Sequence, residues 1–230
     1  MEFTILVAGN QHSKYAEAIC KEMEESARVR GTGIAKRSPD YIIKKMEEGK
    51  AIIALTDQHE FAGFCYIETW GHGQYVANSG LIVRPDLRKF GLAKKIKQKA
   101  FELSRKKYPD AKLFGLTTSL AVMKINSDLG YKPVTFSELT TDEDFWKGCQ
   151  SCVNYDILTR TERKHCLCTG MLYDPQHMAQ PAAKEEQSKQ ASGKNMKVYQ
   201  RWLRLKQHVL MRKFAGTKVP KIRQPKTIAS

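Results

Sequence analysis

Between Leu81 and Ile96 the sequence reads LIVRPDLRKFGLAKKI. An apolar, β-branched run ends at Val83, and Pro85 breaks any ladder continuing past it. A basic connection carrying one glycine then leads into a lysine-rich helical pattern. A strand, a tight basic turn and a helix in that order require mixed α/β structure, and no other stretch narrows the fold as far. The turn also has a chemistry. Gly91 lets the backbone turn tightly and approach a ligand, and Ala93 keeps the helix entry small. The open N–H groups of a helix start, with the positive end of its dipole, suit an anion such as a pyrophosphate. Arg88, Lys89, Lys94 and Lys95 add positive charge around it. An ordinary solvated helix start has the same composition, so the motif alone leaves both readings open.

The surrounding pattern extends the α/β reading. Residues 3–7 (FTILV) read as a buried strand, and residues 14–28 as a helix with Tyr15, Ala18, Ile19 and Met23 near one face. Ser38-Pro39-Asp40 opens a second helix. Residues 50–56 and 61–68 form a hairpin around Asp57-Gln58-His59, and residues 74–83 the next strand. A helix over 94–108 with its lysines facing water, a strand over 112–117 and a helix over 119–129 follow, the last stopped by Gly130. Residues 131–139 and 153–158 read as the final strands.

Charge is concentrated at one end. The 230 residues carry 39 Lys+Arg against 24 Asp+Glu, yet residues 184–230 hold a net +11 and the preceding 183 residues only +4. Residues 176–196 have almost nothing to bury and read as a linker. Within 197–230, residues 197–214 form a basic amphipathic helix with Val198, Trp202, Leu205 and Val209 on one face, and a disordered tail follows. Such a helix docks on the body or a second copy of the chain, or it binds nucleic acid or a membrane surface. Apolar spacing favours docking, hence a homo-oligomer, over nucleic acid. No run approaches the ~20 apolar residues that span a bilayer. The N-terminus lacks the basic and apolar regions of a secretory signal, so a cytoplasmic, thiol-reducing setting is expected.

The series V-x-P-x-x-R-x-x-G-x-A in a strand–loop–helix resembles the acyl-CoA pyrophosphate loop of the GNAT superfamily of N-acetyltransferases. Arg88, Gly91 and Ala93 match that family's R/Q-x-x-G-x-G/A pattern. The stretch MKINSDLGYKP (123–133) resembles its second hallmark, a helix ending in leucine-glycine-aromatic, and the order of elements over residues 1–160 is similar as well. The resemblance implies a mixed α/β fold whose central strands splay apart around acetyl-CoA or another acyl-CoA, flanked by helices. The backbone of Leu81, Ile82 and Val83 would bond the pantetheine arm, and the amides of Lys89, Phe90, Gly91, Leu92, Ala93 and Lys94 would hold the pyrophosphate. The implied reaction is direct transfer of an acyl group to a primary amine.

The resemblance stops at the catalytic groups. The family's usual glutamate base falls near Ala77 and its usual tyrosine acid at Asn126, and neither position holds such a group. Asn126 can bond the CoA sulfur or pantetheine. Glu68, at a strand end, is the candidate base, and Asn78 and Ser79 lie where an acyl group or substrate would sit. Each also has a plain structural reading, as does the loop residue His72. Positioning alone suffices if the amine arrives unprotonated.

Four late cysteines, Cys149-x2-Cys152 and Cys166-x-Cys168, span 149–175 with His165 beside the second pair. Four thiolates would make a closed, structural Zn²⁺ site; a redox pair or plain buried thiols are the alternatives. The same segment (FWKGCQSCVNYDILT, then CLCTGMLYDP) resembles a GNAT branch associated with arginine biosynthesis. That implies N-acylation of glutamate, with acetyl or succinyl as the acyl group. The competing reading is a macromolecule-directed acetyltransferase, or a ribosome-associated CoA-binding protein that uses the basic tail.

Overall fold

The structure, a computed structural model, describes residues 2–31 and 36–178. Its centre is one seven-stranded sheet in the order β1-β2-β3-β4-β5-β7-β6. The strands are β1 (Phe3–Val7), β2 (Ala51–Thr56), β3 (Phe61–Trp70), β4 (Tyr75–Val83), β5 (Lys112–Thr117), β6 (Lys132–Val134) and β7 (Thr169–Tyr173). All neighbours are antiparallel except β4 and β5, which run parallel.

Helix α1 (Ala16–Arg30) buries Ala16, Ile19 and Met23 at helical spacing. Helix α2 (Pro39–Glu47) starts at Ser38, whose Oγ accepts from the Tyr41 N–H, with Pro39 in the first turn. Both pack with Ile53, Phe64 and Tyr66 into one cluster. Helix α3 (Leu92–Lys107) packs Leu92, Ile96 and Ala100 against Ile52, Ala62, Cys65 and Val83 in a second. Helix α4 (Leu120–Asp128) is capped by Ser119 Oγ, and α5 (Glu143–Lys147) and α6 (Tyr155–Arg160) cover β5 and β7 with Trp146 and Leu158. A four-residue helix, α7 (Pro175–Met178), follows β7.

The early elements lie where the sequence puts them, and the late ones differ. Residues 153–158 do not form a strand: from Tyr155 the chain is helix α6, with Leu158 buried three residues on. Six residues with mixed polarity fit either period, and packing against Trp146 and Phe136 decides for the helix. The seventh strand is instead β7, inside the cysteine-rich segment, and it inserts between β5 and β6. The strand expected over 131–139 shortens to Lys132–Val134, because Thr135 and Glu138 close a reciprocal capping box around a 3-10 turn at Phe136–Glu138. The linker, apart from residues 176–178, and the basic helix at 197–214 lie outside the described residues. Among the described residues no helix is long and apolar enough to cross a membrane.

Two features of β4 set the geometry of the site. First, it pairs with β5 only at Tyr75, Val76 and Ala77, opposite Lys112, Leu113 and Phe114. Beyond that point β4 runs on to Val83 beside β3, while β5 continues beside β7, so the sheet opens between two parallel strands. Second, β4 carries a bulge: Ser79 faces Tyr66 and Ile82 faces Phe64, leaving Gly80 and Leu81 opposite Cys65 alone. Gly80 has φ +64°, and a Cβ there would meet Tyr66 Cε1 at 2.6 Å and Met23 Cε at 2.7 Å.

Asn78 ties the parting strands to the helices. Its Nδ2 donates to Ser104 Oγ at 2.8 Å, and its Oδ1 accepts from Tyr131 OH at 3.0 Å, all buried. Asn78 is therefore a structural bridge rather than a free substrate ligand. Asn78→Ala strands the Tyr131 hydroxyl and opens a cavity, so a loss of about 2–3 kcal/mol in a urea titration is expected. An unchanged midpoint would mean the bridge contributes nothing.

Candidate active site

The opening between β4 and β5 widens into a cavity of about 620 Å³, within the range of small-molecule sites. Glu68, Ser79, Leu81 and Asn126, singled out in the sequence, all line it. Ile82 and Val83 continue β4 as buried core residues. Arg88, Lys89, Phe90, Gly91, Leu92, Ala93 and Lys94 lie outside the cavity lining, at the start of α3, one turn beyond the end of β4.

That turn leaves the start of α3 open. Lys89 (φ +76°) and Gly91 (φ +74°) are both left-handed, and Gly91 caps α3 with no side-chain bond to the helix start. Nothing lies within 4 Å of the Cβ that Gly91 lacks, so the space before the helix is open. Helix α3 begins two residues earlier than the apolar pattern suggests, because Gly91 itself is the cap. Arg88 turns inward: its Nε donates to the Val83 carbonyl at 3.1 Å, and its guanidinium lies 3.1 Å from Ser26 Oγ and 3.7 Å from Glu22. It braces the turn against α1. Lys94 lies 3.4 Å from Asp128 at the end of α4.

Two residues of the cavity wall carry a polar atom that is buried without a partner among the described residues: Asn126 Oδ1 and Trp70 Nε1. An orphan acceptor and an orphan donor on residues that line one cavity suit a ligand with amide N–H and carbonyl groups. The pantetheine arm of CoA has both, so these residues fit it.

Further into the cavity Glu68 closes a network no local motif announces. Tyr41 OH donates to Glu68 Oε2, and Lys45 Nζ donates to Oε1 at 2.7 Å. Arg37 Nε donates to Tyr66 OH at 3.0 Å, with its guanidinium 4.8 Å over the Tyr41 ring. Burial, the neighbouring Tyr66 and the bond to Glu68 push the Tyr41 phenol well above its ordinary range. Lys147 pairs with Asp144 at 2.7 Å on another wall. His72 is left-handed (φ 54°) in the β3–β4 loop and does not line the cavity.

The four late cysteines also line the cavity, Cys149, Cys166 and Cys168 packed with Trp146, Phe145 and Leu158. Burial pushes the Cys149 thiol up to about 11 and the Cys168 thiol up to about 12, each helped by the neighbouring cysteines. The zinc staple gains no support. Among the described residues no group of three or more His, Cys, Asp or Glu is arranged to hold a metal ion. In this arrangement the four are free thiols, Cys149, Cys166 and Cys168 in an apolar wall and Cys152 accepting from the Asn154 N–H at 3.5 Å.

Sequence reasoning missed Arg37, Tyr41, Tyr66 and Trp70, which come together from three separate segments. It also placed Lys97 among the solvated lysines of α3, whereas Lys97 is buried and lines the cavity.

No protein-family profile matches the chain, and no curated protein matches it in sequence. Solved structures do match in fold. An N-acetylglutamate synthase from Neisseria gonorrhoeae, solved with coenzyme A and N-acetyl-glutamate, superposes with a TM-score of 0.53 at 16% identity. The match covers 76% of this chain but only 35% of that one, so this chain spans about a third of the synthase. A Mycobacterium tuberculosis protein in complex with CoA gives a TM-score of 0.54 at 13% identity, over 74% of this chain and 98% of that one. A putative acetyltransferase from Salmonella typhimurium with acetyl-CoA gives 0.52 at 15% identity, over 80% and 99%. The splayed parallel pair, the bulged fourth strand and the glycine-capped helix after it thus belong to a fold like that of these CoA-bound structures.

Proposed function

We propose that this chain is an acyl-CoA-dependent N-acyltransferase. The observation that carries the reading is the gap between β4 and β5, which leaves the β4 edge from Asn78 to Val83 unpaired on one side. An extended pantetheine arm would complete that edge as an added strand, beside the backbone of Leu81, Ile82 and Val83 and the orphan Asn126 Oδ1. The amides from Lys89 to Lys94 would take the pyrophosphate.

The chain's own groups then serve the transfer. The cavity would hold thioester and amine together, and Ser79, just before the bulge, would stand beside the reacting carbonyl. Glu68 spends one lone pair of each oxygen on Lys45 and Tyr41 and keeps others for the incoming amine or a bridging water. It is the assigned proton acceptor.

For the acceptor we infer a small amine that also bears carboxylate, with glutamate as the first candidate. Arg37 and Lys97 bring positive charge to the cavity, while Glu68 and Asp144 are already engaged by Lys45 and Lys147. The likeness to a synthase solved with N-acetyl-glutamate supports this choice, and with it a place in arginine biosynthesis. The cytoplasm suits six unpaired cysteines.

Thiol release should be followed with acetyl-CoA and succinyl-CoA against a panel of amino acids. The expected result is turnover with glutamate above any neutral amino acid, the faster donor identifying the acyl group. Turnover confined to neutral or cationic amines would overturn the carboxylate reading. Absence of turnover across the whole panel, with CoA still bound, would favour a macromolecular acceptor.

A further inference from the structure

Lys97 is 2% exposed, among the largest fully buried side chains of the protein. It lies on α3 one residue after Ile96, on the side that meets the sheet, and it lines the cavity together with Ser79, Leu81 and Asn126. Its ammonium sits 5.4 Å from the centre of the Tyr131 ring. Among the described residues no carboxylate pairs with it and no hydrogen bond holds it. A buried ammonium with no anion is costly, and most buried lysines are paired. Lys45, the other buried lysine of the described residues, is paired with Glu68.

A leaving thiolate needs a proton, and the cavity offers few donors. Asn126 is an amide and Ser79 an alcohol. Arg37 is bonded to Tyr66 and Lys147 to Asp144, and the Tyr41 phenol is bonded to Glu68. The Tyr155 phenol and the four late cysteine thiols line the cavity too, but Lys97 alone among these groups is a fully buried cation, and it has no protein anion among the described residues.

We propose that Lys97 is the acid of the acyl transfer, its ammonium stabilising and then protonating the sulfur that CoA carries away. This inference rests on the acyl-CoA reading above. The amine nitrogen bonds the thioester carbon, and the carbon–sulfur bond breaks with its electron pair going to sulfur. One Nζ proton passes to that thiolate, giving CoA-SH and a neutral lysine. The proton shed by the amine nitrogen goes to Glu68 or water, and solvent restores the ammonium.

The surroundings match the task. Burial pushes the Lys97 ammonium down to about 8, close to an ordinary thiol. The titratable groups facing it are uncharged. The Cys65 thiol on β3 is pushed up to about 11, and burial also raises the Tyr131 phenol, just ahead of β6.

The test combines the ultraviolet thiolate absorbance of bound CoA with kcat across pH, on the full chain and its K97M and K97R variants. In wild type the bound thiol should titrate about one unit or more below free CoA. The wild-type kcat should fall as pH rises through about 8, as the ammonium is lost. K97M should bind CoA within ~3-fold, return the thiol to its free value, lose kcat about 100-fold and lose that basic limb. K97R should keep the thiol depressed but keep kcat low, because guanidinium does not give up a proton. A wild-type thiol that titrates like free CoA, or a K97M enzyme with full kcat, would overturn the assignment. If K97M fails to fold, the wild-type thiol titration still decides. Failure of wild type to bind CoA at all would instead remove the acyl-CoA reading.

Discussion

Gly91→Glu should lower CoA affinity at least ~100-fold, or about 2.7 kcal/mol, with little damage to the fold. The fold should tolerate it because nothing lies within 4 Å of the missing Cβ. The left-handed φ of +74° costs a side chain roughly 1 kcal/mol, and a carboxylate at a helix start recovers part of that. The ligand should not tolerate it, because the same carboxylate stands before the N–H groups assigned to the pyrophosphate and repels two phosphates. Gly91→Ala separates the terms, since it keeps the backbone strain without the charge and should cost only a small part of the affinity. Calorimetry with CoA reads both variants. A Gly91→Glu protein that binds CoA as wild type does would remove the turn before α3 from the site.

Gly80→Val should destabilise the protein by about 3 kcal/mol or more, a fall in Tm of roughly 6–12 °C for a chain of this size. Two effects add. The backbone at φ +64° disfavours any side chain and a β-branched one most. The new Cβ would also lie 2.6 Å from the Tyr66 ring, which Arg37 and the Tyr41 ring hold in place. Met23 can yield, but Tyr66 cannot move without opening the Arg37 bond. Relief by erasing the bulge would shift Leu81–Val83 by one residue against β3 and turn each side chain to the other face. CoA binding should therefore fall along with stability. Gly73, at φ +86° with nothing within 4 Å, is the control: Gly73→Ala carries strain alone and should shift Tm by only a few degrees. Thermal unfolding that ranks Gly73→Ala at or above Gly80→Val would contradict the packing argument.

What the sequence shows and hides follows from how local each feature is. Strands β1 to β5 are apolar runs bounded by polar turns, and each declares itself within ten residues. The turn before α3 is legible because Pro85, Gly91 and Ala93 are local backbone requirements. Asn126 is found by its distance from Leu129-Gly130-Tyr131. Strand β7 is hidden because it is five residues long, contains Gly170 and sits among cysteines that suggest another purpose. Helix α6 is misread because six residues do not separate a period of two from one of 3.6. Lys97 is hidden by its own helix: in a lysine-rich amphipathic pattern only tertiary contact shows which lysine turns inward. The Arg37–Tyr66 and Tyr41–Glu68–Lys45 bonds join α2 and the residues before it to β3, and no local rule anticipates such pairs.

The central claim is that acyl-CoA lies along β4 and reaches the start of α3. Amide hydrogen exchange with and without saturating acetyl-CoA tests it most directly, because it reads the location of binding and not only its existence. Slowed exchange is predicted over residues 78–83 and 88–95 and around Asn126, with β1 and β2 unchanged. Protection elsewhere, with those segments exchanging as fast as in the free protein, would contradict the account.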